Sequence, residues 1–276
     1  MSLNMMTTID HAGLELLIAR IRETSGFDFS GYARASLLRR SRSYLLKNDV
    51  SLSELMRNLN QKEGAAYDMI QDLTVNYSEM CRDPDFFASL TSEVFSYLES
   101  FASPRVWVAG CASGEEAFSL SILLREAKLM DNCIIYATDL SQKVISSAKE
   151  GVFSLSGMRG FSENYLLAGG NNSLSEYYSV SYGKAVMEPK LRKSIVFSLH
   201  DLTGDGVFNE FQMICCRNVM IYFTLEQRKK VFQLLYDSLS LLGFLCLGKR
   251  ETLRNSGLED YFRVISSPLN IYQKIQ

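Results

Sequence analysis

The stretch that most constrains the fold is Arg105–Glu116, with the sequence RVWVAGCASGEE. Its apolar run Val106-Trp107-Val108 predicts a buried strand that breaks at Gly110, and the apolar spacing that resumes at Ala117 predicts a helix. A glycine turn between a strand and a helix lets the backbone approach a ligand and directs helix N–H groups towards it. The spacing is G-x-x-x-G rather than the G-x-G-x-x-G of dinucleotide folds, so this stretch alone is equally compatible with an ordinary turn of an α/β protein.

The rest of the chain supports a cytoplasmic globular protein. It has 276 residues, of which 47% are hydrophobic and 22% charged, and a net charge of -2, so no general attraction to nucleic acid or membranes is implied. Six cysteines without a C-x-x-C pair, together with only two histidines, argue against a disulfide framework or a metal site. We therefore expect buried, inert thiols, no metal, no membrane-spanning segment and a monomer.

Residues 1–75 are predicted to form a small helical domain, because several segments have helical apolar spacing and none resembles a strand. Asp10 is a predicted N-cap, and Ser51 with Glu54 forms a capping-box pattern. The second predicted helix, residues 33–47, carries a cluster of basic side chains. They are Arg34, Arg39, Arg40, Arg42 and Lys47. Such a cluster is either a solvated helix face or a docking face for an acidic partner.

Residues 76–100 are predicted to contain a linker and the first helix of a second domain, and residues 101–276 alternate between strand and helix patterns. This alternation predicts a mostly parallel sheet covered on both faces. The segment 152–192 interrupts the alternation and is expected to be a small β-hairpin insertion. A capping pattern at Thr224 predicts a helix that continues through Leu242, with a strand starting at Gly243.

Polar or glycine residues follow the predicted parallel strands at the edge of the sheet where α/β proteins bind ligands. These residues are Gly110 to Glu116, Asp139, Asp201, and Arg217 with Asn218. A carboxylate after the second strand suits ribose hydroxyls, and there is no P-loop lysine. The pattern favours a nucleoside-bearing cofactor with a positive centre. Alternatively, Glu116 interacts only with the helix dipole, and Asp139 only caps its strand together with Ser141.

Three longer stretches resemble one known family. VWVAGCASGEEAFSLSILL, YATDLSQKVISSAKEGVF and CCRNVMIYF are similar to the S-adenosylmethionine-dependent methyltransferases of bacterial chemotaxis receptors, the CheR type. The resemblance extends from about residue 10 to residue 275. It implies an α/β fold: a Rossmann-like class I methyltransferase domain with a small antiparallel β insertion, preceded by a small all-helical domain.

The resemblance also implies roles for individual residues. The family's linker motif N-x-T-x-F-F-R corresponds to residues 76–82, and Glu115 would contact the methionine part of the cofactor while Asp139 binds the ribose. Arg82 and Tyr222 are the implied catalytic residues, although without the family Arg82 resembles a surface residue and Tyr222 a core residue. The implied contacts of S-adenosylmethionine, and of its product S-adenosylhomocysteine, are Asn76, Ser78, Arg82, Ala109, Gly110, Glu115, Asp139, Asp201, Leu202, Arg217 and Asn218.

The implied activity is methyl transfer to glutamate carboxylates of a chemoreceptor-type helical protein. The basic helix would dock that receptor, and the β insertion would bind a receptor tail. Two alternatives are a non-catalytic S-adenosylmethionine-binding signalling module and a small-molecule methyltransferase. The chain departs from the family pattern at Ser78, at Met80-Cys81, and at Gly248-Lys249-Arg250-Glu251, which stands where a His-Ser-Glu run is frequent. We expect these departures to lie at the active-site mouth.

Overall fold

The computed structural model describes residues 9–62, 64–74 and 78–276. The chain divides into two compact units. The first comprises residues 1–76 together with Tyr222–Arg228, and the second comprises Tyr77–Ile221 together with Lys229–Gln276. The short segment Tyr222–Arg228 therefore packs with the helical N-terminal residues, which the sequence pattern did not indicate.

The first unit is helical. Its helices are α1 (His11–Ser25), α2 (Arg34–Asn48), α3 (Leu52–Gln61) and α4 (Ala65–Leu73). The predicted caps are confirmed: Asp10 accepts the N–H of Gly13 at 2.8 Å, and Ser51 with Glu54 forms the capping box of α3. The backbone of Tyr32 bridges that of Phe223, and the N–H of Ala33 donates to the carbonyl of Tyr222. These bonds explain why the segment after Ile221 belongs to this unit.

Most basic side chains of α2 form hydrogen bonds or ion pairs within the first unit. The side chain of Arg40 is buried, donates to the carbonyl oxygen of Leu73, and lies 4.5 Å above the ring of Tyr222. The prediction that Arg40 belongs to an exposed docking face is therefore wrong, because this guanidinium fills an interior position.

The other members of the basic cluster differ from one another. Arg34 pairs with Glu15 at 2.6 Å, and Lys47 pairs with Asp72 at 3.2 Å. Arg39 and Arg42 are exposed, and both line a surface groove of about 500 Å³. Only these two exposed members of the cluster lack a carboxylate partner among the described residues.

The second unit contains the predicted α/β domain. Its seven-stranded sheet has the order β6-β2-β1-β7-β8-β10-β9, in which β10 is antiparallel to both neighbours and the other pairs are parallel. The strands are β1 (Arg105–Ala109), β2 (Ile134–Asp139), β6 (Ile195–Leu199), β7 (Phe211–Cys216), β8 (Leu239–Leu247), β9 (Phe262–Ser266) and β10 (Ile271–Lys274). The predicted Rossmann-like fold class is confirmed.

Helices cover this sheet because its central strands are apolar on both faces, as every residue of β7 is buried. The helices of this unit are α5 (Pro84–Glu93), α6 (Phe95–Glu99), α7 (Glu115–Glu126), α8 (Gln142–Glu150), α9 (Leu155–Leu167), α10 (Pro189–Lys193) and the greater part of α11 (Leu225–Ser238). All six cysteines are buried and free, and burial raises the pKa of Cys81 to about 12, as expected for inert thiols. Among the described residues, no helix combines the length and the apolarity that crossing a membrane requires.

The insertion is larger than the predicted hairpin. The hairpin of β4 (Tyr178–Ser181) and β5 (Lys184–Met187) is present, and β3 (Val152–Ser154) adds a third strand in the order β3-β5-β4. The helix α9 follows β3 directly, and its N-cap Ser154 accepts the N–H of Gly157 at 3.3 Å. The weak apolar periodicity of this segment explains why the sequence pattern did not reveal α9.

The predicted helix through Leu242 is also corrected. Helix α11 ends at Ser238, and β8 begins at Leu239, which pairs with Phe211 of β7. Leu242 has a positive φ of 62°, a left-handed conformation that a helix cannot contain. Pairing with the neighbouring strand therefore outweighs the helical apolar spacing of these residues.

Candidate active site

The glycine turn after β1 is held by hydrogen bonds to the end of β2. The N–H groups of Gly110 and Cys111 both donate to the carbonyl of Thr138 at 2.8 Å. Gly110 has a φ of 77°, and a Cβ built on it would lie 2.5 Å from a methyl group of Val219. A side chain at position 110 would therefore strain the backbone and displace the loop that follows β7.

The carboxylate of Asp139 also holds this turn. One oxygen accepts the N–H of Ala112 at 3.0 Å, and the other accepts the N–H of Ser141 at 3.2 Å. Burial raises the pKa of Asp139, and these N–H bonds oppose that rise. Asp139 thus performs the strand-capping role, and its remaining lone pairs leave capacity for a hydroxyl ligand.

Glu115, at the start of α7, is a buried acid with one carboxylate oxygen that lacks a hydrogen-bond partner among the described residues. Its side chain is 7% exposed, and its Oε2 has no hydrogen-bond partner among the described residues. Burial raises the pKa of Glu115 to about 7. A buried carboxylate without a partner costs free energy unless a ligand supplies one. A cationic group such as an amine would satisfy this oxygen.

The neighbouring Glu116 has a different role. It accepts a hydrogen bond from the guanidinium of Arg217 at 2.6 Å, and Asp83 accepts another at 2.7 Å. The guanidinium also lies 4.0 Å above the ring of Phe86 and donates to the backbone carbonyl of Arg82 at 3.0 Å. The side chain of Arg217 is therefore buried and ion-paired, and the structure does not show it as a direct cofactor contact.

The segment around Arg82 is a constrained turn. Cys81 and Asp83 both have left-handed backbone conformations, with φ of 49° and 59°. The N–H of Cys81 donates to the hydroxyl of Ser119 at 2.8 Å, and Lys249 pairs with Asp83 at 3.2 Å. Left-handed non-glycine residues are concentrated at functional sites, where surrounding contacts hold them.

Arg82 is half-buried, and among the described residues its guanidinium has no hydrogen-bond or ion-pair partner. Arg217 and Asp83 therefore fix the backbone of this turn while the charge of Arg82 stays available.

Two departures from the family pattern contribute to packing. Met80 and Cys81 are 1% and 2% exposed and belong to the hydrophobic core. Both side chains are packing groups in the segment that leads to Arg82, and the expectation that they lie at the active-site mouth stays a prediction.

The remaining predicted site residues are distributed as follows. The N–H of His200 donates to the carbonyl of Asp139 at 3.1 Å, which brings Asp201 next to the end of β2. The carboxylate of Asp201 accepts the N–H of Thr203 at 2.8 Å. Ala109 and Leu202 are buried, while Ser78 and Asn218 are half-buried.

Two predicted site residues cannot be joined to this cluster. Asn76 lies outside the described residues. Tyr222 belongs to the first unit, where its ring packs against Arg40. The catalytic assignment of Tyr222 stays a prediction.

Three further residues of this region were not predicted from the sequence: Asp83, Lys249 and Glu251. Asp83 links Arg217 to the Arg82 turn, and Glu251 binds backbone groups of the loop after β7. The signals available were the Asp-Pro-Asp sequence after Arg82 and the acid that follows β8 by four residues.

These residues fit S-adenosylmethionine. Its amino group matches the free oxygen of Glu115, its ribose hydroxyls match Asp139, and the bare backbone of Gly110 leaves room for a ligand. Among the described residues, no cluster of three or more His, Cys, Asp or Glu side chains suits a metal ion.

Comparison with known proteins agrees with this fit. The sequence model of the family "CheR methyltransferase, SAM binding domain" matches residues 76–271. The chain is 40% identical to "Putative methyltransferase Cher3" of Pseudomonas putida, over 95% of this chain and 96% of that protein. It is 30% identical to "Chemotaxis protein methyltransferase 1" of Pseudomonas aeruginosa, over 81% of this chain and 83% of that protein. It is 29% identical to a chemotaxis protein methyltransferase of Listeria monocytogenes, over 85% and 88% of the two chains.

Proposed function

This chain belongs to the CheR methyltransferase family and is an S-adenosylmethionine-dependent methyltransferase; from that premise we propose that it methylates glutamate carboxylates of a bacterial chemoreceptor-type signalling protein. The products are glutamate methyl esters and S-adenosylhomocysteine. The observation that carries the proposal is a buried oxygen of Glu115, beside the glycine turn, that has no hydrogen-bond partner among the described residues. Relatives named as chemotaxis methyltransferases support the choice of substrate.

The proposed reaction does not require a general base. S-adenosylmethionine supplies a methyl group activated by a sulfonium, and a glutamate acceptor is already ionised at neutral pH. The residues of the chain need only hold the two reactants in line and neutralise charge during the approach. The side chain of Arg82 has no partner in the described part of the chain and is fixed through its backbone, so it is suited to binding the incoming carboxylate.

We assign the cofactor contacts to the residues around the turn. Glu115 binds the amino group, Asp139 binds the ribose, and Asp201 with Leu202 lies beside the adenine. Ala109, Gly110 and Asn218 form the backbone wall, and Asn76 with Ser78 belongs to the linker. Arg217 contributes by positioning Glu116 and the Arg82 turn, because its guanidinium is already paired. Tyr222 remains our second catalytic assignment.

Receptor binding is assigned to the exposed part of the basic helix. The groove lined by His11, Arg39 and Arg42 also contains Leu38 and Leu46, so it combines positive charge with apolar surface. An acidic amphipathic receptor helix has the complementary character. The three-stranded insertion is the proposed site for a receptor tail, and we place the enzyme, as a monomer, in the cytoplasm.

The test is transfer of labelled methyl groups to receptor-containing membranes of the native host, where base-labile label indicates an ester. We expect Arg82→Ala to reduce turnover at least 100-fold while the affinity for S-adenosylhomocysteine changes less than threefold, because the lost group binds the acceptor. Calorimetry measures the affinity, and initial rates measure the turnover.

Arg105→Ala is the matched control, since Arg105 is also a half-buried arginine but lies at the start of β1, at the opposite end of the strand from the glycine turn. Turnover of the control should equal that of the wild type. Unchanged turnover in Arg82→Ala would remove Arg82 from the mechanism. Cofactor binding without transfer to any membrane fraction would instead favour the non-catalytic signalling module.

A further inference from the structure

Glu251 is a buried carboxylate that binds only backbone groups. It is 5% exposed, and one of its oxygens accepts the N–H groups of Asn218 at 2.7 Å and Gly248 at 2.8 Å. The other oxygen accepts the N–H groups of Met220 at 2.7 Å and Ile221 at 3.3 Å. Among the described residues Glu251 forms no ion pair, so these N–H groups are what stabilises its charge.

The loop after β7 depends on this carboxylate. Asn218 has a left-handed φ of 62°, which turns successive N–H groups towards one point, in the manner of an anion-binding nest. The N–H of Met220 is buried, and a buried N–H without an acceptor is costly. The conformation of residues 217–221 is therefore maintained by a side chain from the end of another strand, β8.

The same loop contacts the glycine turn. Val219 lies between two residues whose N–H groups are bound by Glu251. Its methyl group would be only 2.5 Å from a Cβ on Gly110, so the valine side chain rests directly against the bare backbone of the turn. A shift of the loop would change the position of Val219 and the shape of the cleft beside Gly110.

The fit around Glu251 leaves little room for such a shift. A Cβ on Gly248 would lie 2.7 Å from one carboxylate oxygen of Glu251 and 2.8 Å from the backbone nitrogen of Asn218. The carbonyl of Gly248 accepts a hydrogen bond from the side chain of Asn270, the residue before β10, at 3.0 Å. The glycine thus permits the close approach that brings the carboxylate to the loop.

We propose that Glu251 is a positioning residue of the cofactor site, which holds the loop 217–221 so that Val219 and Asn218 form a fixed wall beside Gly110. It acts through the loop and does not touch the cofactor. The inference rests on the proposed assignment of Gly110 and Asn218 to that site.

The test uses Glu251→Gln, which keeps the size of the side chain. A glutamine can offer its oxygen to one pair of N–H groups, and its NH₂ then faces the other pair. We expect the dissociation constant of S-adenosylhomocysteine to rise at least tenfold by calorimetry. In the unliganded protein, hydrogen exchange of the amides at residues 218, 220, 221 and 248 should accelerate at least tenfold.

The matched control is Glu126→Gln, since Glu126 is a carboxylate that accepts hydrogen bonds from Tyr165 and Tyr177 in the same unit. It should leave the affinity for S-adenosylhomocysteine within twofold of the wild type. Gly248→Ala is a second route to the same effect because it displaces the carboxylate without removing its charge. If Glu251→Gln does not fold, Gly248→Ala decides the question by the same two measurements.

If Glu251→Gln folds and binds S-adenosylhomocysteine as tightly as the wild type, the proposal is overturned. It is also overturned if Glu126→Gln loses as much affinity as Glu251→Gln. The assay contains no receptor, so its result is independent of whether glutamate is the methyl acceptor. Loss of affinity in Glu251→Gln without esters on any receptor would reject the proposed substrate and leave the positioning role supported.

Discussion

The basic helix α2 and the glycine turn after β1 differ in how many of their charged side chains are free to bind a ligand. Helix α2 carries a conspicuous run of cations, yet Arg40 is buried against a carbonyl and a ring, and Arg34 is paired with Glu15. The glycine turn has only two adjacent acids, and one of them, Glu115, has a buried oxygen without a hydrogen-bond partner among the described residues. The number of charges in a segment is therefore a poor guide to what it binds, whereas burial and pairing are informative.

The physical reason is desolvation. An exposed cation such as Arg39 is already satisfied by water, so a partner gains little from pairing with it. A buried carboxylate has lost its water and gains much from a cationic ligand. We therefore expect substitutions to have large effects on binding at the glycine turn and small effects at helix α2.

The largest expected effect is that of Glu115→Gln on cofactor binding. Removing the charge that meets the amino group should weaken binding of S-adenosylmethionine about 100-fold, as for other buried charge pairs. Calorimetry at pH 8 measures the change.

The control for this variant is Glu188→Gln, which alters an exposed carboxylate that pairs with Arg125 at 2.6 Å. Its affinity should match that of the wild type. Equal affinities for all three proteins would mean that Glu115 is a buried acid with no ligand, and the contrast with α2 would disappear.

The second effect concerns stability without the cofactor and has the opposite sign. Folding raises the pKa of Glu115 from an ordinary value near 4.5 to about 7, so the protonated form is favoured in the folded protein. The cost grows as pH rises through this range and is complete above pH 7. Glu115→Gln should therefore stabilise the unliganded protein on the order of 2 kcal/mol at pH 8, with no gain below pH 4.5.

Urea denaturation at both pH values tests this expectation. A variant less stable than the wild type at pH 8 would show that Glu115 has a partner when the cofactor is absent. The combination of weaker binding with higher stability is typical of a group whose burial serves a ligand rather than the fold.

The smallest effect is expected at the basic helix. The double variant Arg39→Gln/Arg42→Gln should raise the KM for the receptor several-fold, because each exposed cation contributes less than about 1 kcal/mol. Cofactor affinity should not change. Initial rates at increasing receptor concentration and at two salt concentrations provide the measurement.

Arg34→Gln/Lys47→Gln removes the same charge from the same helix and is the matched control, since both residues are paired within the unit. Its KM should stay within twofold of the wild type. If both double variants raise KM equally, total charge rather than the exposed pair governs receptor binding, which would contradict the distinction between paired and exposed cations.

Much of the fold was predictable because it depends on local patterns. The caps at Asp10 and Ser51 follow from short-range hydrogen bonds, and the apolar run of β1 identifies a central strand of the sheet. Helix α9 was not predictable because its apolar periodicity is weak, and the end of α11 was not predictable because it depends on pairing with a distant strand. The residues beyond Ser238 have helical spacing, but pairing of Leu239 with Phe211 places them in β8.

The sequence by itself determined the family, the glycine turn and the acids that follow the strands, because those signals lie within a few residues of one another. Only the tertiary structure decided what each acid does. Glu115 and Glu116 are neighbours in the chain. In the part of the chain that the structure describes, one oxygen of Glu115 has no partner, while Glu116 meets Arg217, which lies about a hundred residues further on. Glu251 binds the loop after β7 for the same reason: β7 and β8 are adjacent in the sheet, so their ends meet whatever their separation in sequence.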